Sequence, residues 1–137
     1  MATKYCMIPM ANGPFEHVDL TARAAFGLIY DRWLLSRRTN EGTERPKFAV
    51  RRYVRLGDVI KRRANDNTVM PMLFDYCIYT QDELAHDLGV SERTVRRCID
   101  DLCRAEVIQA ERTGLRGANR YIIPSEVYRY FNPPRKP

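Results

Sequence analysis

The sequence predicts a mainly α-helical fold with a small β-sheet, and three observations support this. Residues 80–106 hold two helical patterns that are joined by a short turn at Gly89. Two β-like runs follow over residues 107–123, around a loop with two glycines. An amphipathic pattern over residues 21–38 supplies an apolar helix on which these elements can pack. Helix, tight turn, helix and β-hairpin in this order are typical of a winged helix-turn-helix.

Length and charge set the first limits. The 137 residues, which we treat as one domain, are enough to bury a hydrophobic core. Lys and Arg number 23 against 17 Asp and Glu, so the formal net charge is +6. A basic balance suggests a polyanionic partner such as nucleic acid, although ordinary soluble proteins also reach this charge.

The cysteines and histidines do not have the spacing of a metal site. The four cysteines form no Cys-x-x-Cys pair, and His17 and His86 stand far apart, whereas zinc requires closely spaced ligands. Free cysteines suit a reducing compartment. The first ten residues contain no long apolar run, and no apolar run of membrane-spanning length occurs in the sequence. We therefore expect a cytoplasmic protein without a metal or a cofactor.

The first helix is predicted over residues 21–38, with Thr21 as its cap. Its apolar stripe has the spacing i, i+3, i+4 and i+7 and consists of Phe26, Ile29, Tyr30 and Trp33. Such a stripe most often packs into the core, and a dimer interface is the alternative. Around this helix we expect an edge strand over residues 4–9, a turn at residues 12–14 and a loop over residues 37–47.

The densest positive charge lies in residues 45–63, where Asp58 is the single acid. Periodicity does not decide between helix and strand here. We favour a helix over residues 48–56 that is interrupted at Gly57, then a turn at residues 64–67 and a short strand over residues 75–79. This basic insertion is either a phosphate-contacting patch or a solvated face whose arginine stems cover apolar surface. Its candidate phosphate contacts are Arg51, Arg52, Arg55, Lys61, Arg62 and Arg63.

The helix-turn-helix has clear start and stop signals. Thr80 and Glu83 have the spacing of a capping box, so the first helix begins just after Thr80. Gly89 supplies the left-handed conformation that ends it. Ser91 can cap the second helix.

The second helix has the features of a recognition helix. Val95, Ile99 and Leu102 form its inner face, and Arg93 and Arg97 lie on the opposite side. Arginine can bond two acceptors of guanine in the major groove, while Ser and Thr reach phosphates or base edges. The candidate DNA contacts are Ser91, Arg93, Thr94, Arg96 and Arg97. Alternatively, Arg96 and Arg97 form helix-surface ion pairs with Asp100 and Asp101.

The wing is predicted over residues 107–123, as a β-hairpin followed by a short helix over residues 125–131. Arginines near its loop are placed to touch the sugar-phosphate backbone, and the residue at the tip could enter a minor groove. The alternative is a solvated hairpin tip. The candidate wing contacts are Arg112, Thr113, Arg116, Asn119 and Arg120.

Several segments together resemble a known family. They read YCMIP (5–9), LTARAAFGLIYDRWLLS (20–36), IYTQDELAHDLGVSERTVRRCIDDL (78–102) and GLRGANRYII (114–123). The pattern resembles the N-terminal domain of plasmid replication initiators of Gram-positive bacteria, and also helix-turn-helix proteins of phages and other mobile elements. The resemblance implies a dimer that binds repeated or palindromic DNA through the helix after Ser91. Residues 41–77 are longer than the family's connection, so the resemblance implies no role for them.

We therefore expect sequence-specific binding of double-stranded DNA, in replication initiation or in transcriptional regulation of a plasmid, phage or other mobile element. The alternative is a protein interaction module in which the Trp33 helix docks a replication or transcription protein. We do not expect an enzyme, because the sequence contains no histidine pair near a nucleophilic tyrosine and no GxxxxGK[ST] phosphate loop.

Overall fold

The computed structural model describes residues 6–113 and 118–134. Its helices are α1 (Leu20–Asn40), α2 (Leu56–Val59), α3 (Gln81–Leu88), α4 (Glu92–Arg104) and α5 (Ser125–Phe131). Its strands are β1 (Ala49–Arg55), β2 (Val69–Asp75), β3 (Cys77–Thr80), β4 (Gln109–Arg112) and β5 (Ala118–Ile122). The predicted helical fold with small antiparallel sheets is confirmed. None of the helices described is long and apolar enough to cross a membrane.

Helix α1 is the centre of the core. Its cap is Asp19, whose carboxylate accepts the backbone N–H of Ala22, so the prediction of Thr21 was wrong. The helix also continues to Asn40, into the predicted loop, because Arg37 and Arg38 in its last turn favour the negative helix end. Trp33 is 5% exposed. The aromatic stripe is therefore core rather than a surface for a partner.

Helix α5 closes the other side of this aromatic core. Phe131 packs at 5.3 Å from Tyr30 and at 5.9 Å from Phe26, measured between ring centroids. Asn132 donates a hydrogen bond to the Tyr30 hydroxyl at 3.1 Å. The predicted short helix over residues 125–131 is thus confirmed, and it fixes the end of the wing against α1.

The segment before α1 is not the expected edge strand over its described residues 6–9, which are irregular. It crosses α1 instead, where Arg23 donates to the Pro9 carbonyl at 3.0 Å. A Cβ atom on Gly27 would collide with the Met7 carbonyl oxygen. Glycine in mid-helix therefore allows the crossing. The expected turn at residues 12–14 forms part of a 3-10 turn, Gly13–Phe15.

The basic insertion is a β-hairpin, so the helix favoured over residues 48–56 was wrong. Strands β1 and β2 pair antiparallel from Ala49↔Asp75 to Arg55↔Val69. Gly57 does not interrupt a helix but lies inside α2, where a Cβ atom would collide with the returning backbone at Ala64. We call residues 49–75 the insertion hairpin.

The winged-helix sheet has the order β3-β5-β4, and all of its pairs are antiparallel. Tyr121 and Ile123 lie in the main core, so Ile122 between them faces the opposite side of the sheet. Ile122 is nevertheless only 2% exposed. Met72 and Phe74 of the insertion hairpin line the same small cavity as Ile122. The insertion hairpin therefore covers the outer face of the sheet.

Candidate nucleic-acid interface

The two helices of the motif are placed by local signals. The Thr80 hydroxyl accepts the backbone N–H of Glu83 at 3.0 Å and donates to the Glu83 carboxylate. Gly89 ends α3 with φ of 72°, in the left-handed region where glycine carries no Cβ penalty. The Ser91 hydroxyl then accepts the backbone N–H of Thr94 at 3.2 Å and begins α4. All three signals were predicted, and all three are confirmed.

Helix α4 separates a buried side from a charged side. Val95, Cys98 and Leu102 are fully buried, and Ile99 is 6% exposed. At 100° per residue, Arg93 lies opposite this face. Arg93, Arg96 and Arg97 are all exposed. The N-terminal half of α4 thus presents three arginines from one firmly packed helix.

Arg97 differs from its two neighbours, because two carboxylates hold it. Its Nη1 atom lies 2.8 Å from Asp19 Oδ2 and 2.8 Å from Asp101 Oδ2. Arg104 approaches the second carboxylate, Asp101, at 3.4 Å. Within the described ranges, Arg93 and Arg96 make no ion pair, so the pairing of Arg96 with Asp100 is not observed. The unpaired positive charge of α4 therefore lies at Arg93 and Arg96.

A cluster of side-chain contacts behind α3 attaches the helix-turn-helix to α1 and β3. The Arg32 guanidinium lies 3.5 Å from the centre of the Tyr79 ring and donates to the Ile78 carbonyl at 3.2 Å. The Tyr79 hydroxyl donates to the Asp87 carboxylate. Burial, followed by this carboxylate, raises the pKa of Tyr79 well above its usual range. These contacts join α1, β3 and α3 into one support for α4.

The wing residues fall into different environments. Arg112 is exposed and Thr113 half-buried at the end of β4. Asn119 donates to the Tyr121 hydroxyl at 3.0 Å, so its amide supports the core. Arg120 lies 4.3 Å from the centre of the Tyr76 ring. Arg116 lies outside the described residues.

Glu111 links the wing to the insertion hairpin. Its carboxylate is paired with Arg52 of β1 and lies 4.0 Å from Arg120 of β5. The Nε atoms of both arginines are buried without a hydrogen-bond partner among the described residues. Arg52 and Arg120 therefore brace the two sheets against each other.

The remaining basic residues of the insertion hairpin fall into two groups, those with a polar partner among the described residues and those without one. Arg55 is bound to Asp58 at 2.7 Å and to the Ala64 carbonyl at 2.9 Å, which closes the turn after β1. Arg63 lies 3.9 Å from Asp66. Arg51, Lys61 and Arg62 are exposed, and their side chains make no hydrogen bond, ion pair or ring contact in the part of the chain that the structure covers. Half of the six candidate phosphate contacts are thus free to meet a ligand.

Sequence reasoning missed Asp19, Arg32 and Glu111, which position the interface without belonging to the motif. Asp19 and Arg97 are separated by 78 positions, so no local pattern relates them. An aspartate directly before a helical run was a usable signal for the Asp19 cap. Over residues 6–113 and 118–134, no group of three or more His, Cys, Asp or Glu side chains is arranged to hold a metal.

Comparisons with known proteins bear on this region and on the whole fold. Residues 77–109 match a family model described as "Winged helix-turn-helix DNA-binding". The match runs from β3 through α3 and α4 to the start of the wing. No curated protein matches the chain significantly.

Two solved structures are similar over nearly the whole chain. One is described as "N-Terminal domain of DNA binding protein", with 12% identity, a TM-score of 0.52, and coverage of 97% of this chain and 90% of that one. The other is described as "Structure of Rep-DNA complex", with 12% identity, a TM-score of 0.52, and coverage of 98% and 92%. At this identity the similarity concerns the fold, which is a winged helix-turn-helix with a covering hairpin.

Proposed function

We propose that this protein binds double-stranded DNA, with α4 in the major groove and the wing against the backbone. The observation that carries the proposal is the pair Arg93 and Arg96. Both are exposed in the N-terminal half of a helix whose other face is buried, and neither is paired within the residues described. Recognition helices place their N-terminal residues against base edges. The matching family model and the similar Rep-DNA complex agree with this ligand.

Each part of the site then has a distinct task. Arg93 reads a base edge, because it projects directly away from the packed face of α4. Arg96 and the backbone N–H groups around Ser91 bind phosphates, since a helix N-terminus favours anions. Arg112 continues the contact along the wing. The tight packing of Val95 and Leu102 keeps these groups in register with the duplex.

The insertion hairpin adds charge rather than sequence reading. Arg51, Lys61 and Arg62 are the members of the basic segment available to phosphates, whereas Arg52 and Arg55 are occupied by structural contacts. Each neutralised phosphate makes affinity more dependent on salt. We therefore assign base reading to α4 and general affinity to these three side chains.

The biological role that we propose for this DNA binding rests on the resemblance to replication initiators. We propose that the protein acts on plasmid, phage or other mobile-element DNA in the cytoplasm, at replication origins or operators. A homodimer on palindromic or repeated half-sites would match the usual arrangement of such motifs. The proposed activity is binding, without a chemical step. Docking of a partner on the apolar face of α1 is disfavoured, because Trp33 is buried.

Titration of a labelled duplex that carries a sequence selected for binding, at increasing salt, tests the proposal. We expect wild-type affinity to fall steeply with salt. Arg93→Ala should weaken binding to this duplex by about five- to 150-fold, since a good base contact is worth about 1–3 kcal/mol. The matched control is Arg38→Ala in the last turn of α1, an exposed arginine outside α4, the wing and the insertion hairpin. Lack of duplex binding at low salt, or an equal loss in both variants, would contradict the proposed function.

A further inference from the structure

Two carboxylates bind Arg97 at the edge of α4, and one of them, Asp19, lies outside the helix. Asp19 ends the segment before α1, and its Oδ2 atom is 2.8 Å from Arg97 Nη1. Its other oxygen, Oδ1, accepts the backbone N–H of Ala22 at 2.9 Å, so the carboxylate is held in place by the start of α1. Asp101 meets the same Nη1 atom from the next turn of α4. Arg97 thus lies between a fixed carboxylate and one on its own helix.

We propose that Asp19 is a positioning residue that competes with DNA phosphates for Arg97 and thereby lowers the affinity for duplex DNA of any sequence. The inference rests on the proposed function of α4. Arg97 is 45% exposed and Asp19 55% exposed, so a phosphate can approach the guanidinium, but at Nη1 it has to displace carboxylate oxygens. Replacement of a carboxylate by a phosphate at Arg97 adds little to the binding free energy. Arg93 and Arg96, in contrast, lose no partner among the described residues when they bind DNA.

The effect falls on specific and non-specific binding alike. Contacts with phosphates supply essentially all of the affinity for random sequence, and specific binding has base contacts in addition. Because Arg97 is proposed to meet a phosphate in both cases, its two carboxylates lower both affinities by a similar factor. A random-sequence duplex, which lacks the base contacts, therefore shows the effect most simply.

The substitution Asp19→Asn isolates the charge from the cap. Asparagine caps helices about as well as aspartate, so Ala22 keeps its hydrogen bond while Arg97 loses one carboxylate. Exposed ion pairs have small energies, which correspond to roughly two- to five-fold in an equilibrium constant. We expect Asp19→Asn to bind random-sequence duplex about two- to five-fold more tightly than wild type at low salt.

A double-mutant cycle shows whether Asp19 acts through Arg97. In an Arg97→Ala background, the same Asp19→Asn change should leave duplex affinity unaltered, because the partner is gone. The matched control is Glu41→Gln directly after α1, which removes one exposed carboxylate outside α4, the wing and the insertion hairpin. Trp33 fluorescence confirms that each variant is folded.

Two results would overturn the inference while leaving the proposed function intact. One is wild-type duplex binding that Asp19→Asn does not strengthen. The other is an equal gain with and without Arg97, which would mean that Asp19 repels DNA directly. If the wild type binds no duplex, the proposed function fails first, and this inference fails with it.

Discussion

Tyr121 joins the wing to the core through a single buried side chain. It is fully buried in β5, next to Cys77 of β3, and its hydroxyl accepts a hydrogen bond from Asn119. Burial raises the pKa of Tyr121 to about 12 from its ordinary value of 10.0, and the Asn119 bond opposes this only in part. The folded chain therefore keeps a proton that the unfolded chain releases above pH 10.

This difference predicts a loss of stability in alkali. As pH rises from about 10 to about 12, the unfolded state loses a proton that Tyr121 retains in the folded state, so the free energy of unfolding falls. For the Tyr121→Phe variant, the free energy of unfolding should fall less steeply over the same pH range. Urea unfolding followed by Trp33 fluorescence at several pH values measures this. Tyr53→Phe, at a position 72% exposed, is the control that should keep the wild-type steepness; an unchanged slope in Tyr121→Phe would contradict the explanation.

Single residues also mark where sequence reasoning ends. Ser91 and Gly89 act on neighbours within four positions, so their roles could be predicted from spacing. Asp19 acts on Arg97 and Glu111 on Arg52, across distances in sequence that no periodicity encodes. The exposed arginines of α4 and the pairing of Arg97 with Asp101 were thus predictable from the sequence, whereas the contacts of Asp19 and Glu111 were not.

At the scale of elements, the insertion hairpin is attached to the fold at its base as well as to the wing sheet. Asn40, at the end of α1, is 8% exposed and is the buried polar residue of the described core. Its amide nitrogen donates to the Phe48 carbonyl and to the Asp75 carboxylate, both at 2.9 Å. Its amide oxygen accepts the Phe48 backbone N–H at 3.2 Å. One side chain thus joins both ends of the insertion hairpin to α1.

Asn40→Ala should therefore destabilise the protein. The change leaves the part-buried Phe48 N–H and Asp75 carboxylate without their Asn40 partner, which costs about 1–3 kcal/mol of unfolding free energy. Denaturant unfolding compares it with Thr39→Ala, the preceding residue, which is exposed and bonds only to its own helix. If both variants lose the same amount, Asn40 does not anchor the insertion hairpin.

The elements differ in how far they could be predicted. Helices α3 and α4 have caps and apolar spacing that agree with each other, so the motif was predicted with nearly its observed bounds. The insertion hairpin was misjudged because its arginines obscure the two-residue alternation. Its strands also pair residues up to 26 positions apart, at Ala49↔Asp75. Pro71 was tolerated because β2 pairs with β1 alone in the described sheet.

Across the whole molecule, the basic residues discussed above fall into three groups. In the first group, Arg93 and Arg96 of α4 are unpaired among the described residues. In the second group, Asp101 binds both Arg97 and Arg104, and Asp19 binds Arg97 as well. The third group consists of the exposed basic residues of the insertion hairpin, Arg51, Lys61 and Arg62. Exposed positive charge without a carboxylate partner among the described residues thus lies both on α4 and on the insertion hairpin. We infer that the sequence preference comes from the first group, on α4.

Selection of bound duplexes from a random pool tests this central claim most directly. The wild type should enrich a consensus, arranged as two related half-sites if the protein binds as a dimer. Arg93→Ala should still bind at low salt but lose the preference at one base position in each half-site. An unenriched pool with wild type, or the same full consensus with Arg93→Ala, would contradict the claim that α4 reads sequence through Arg93.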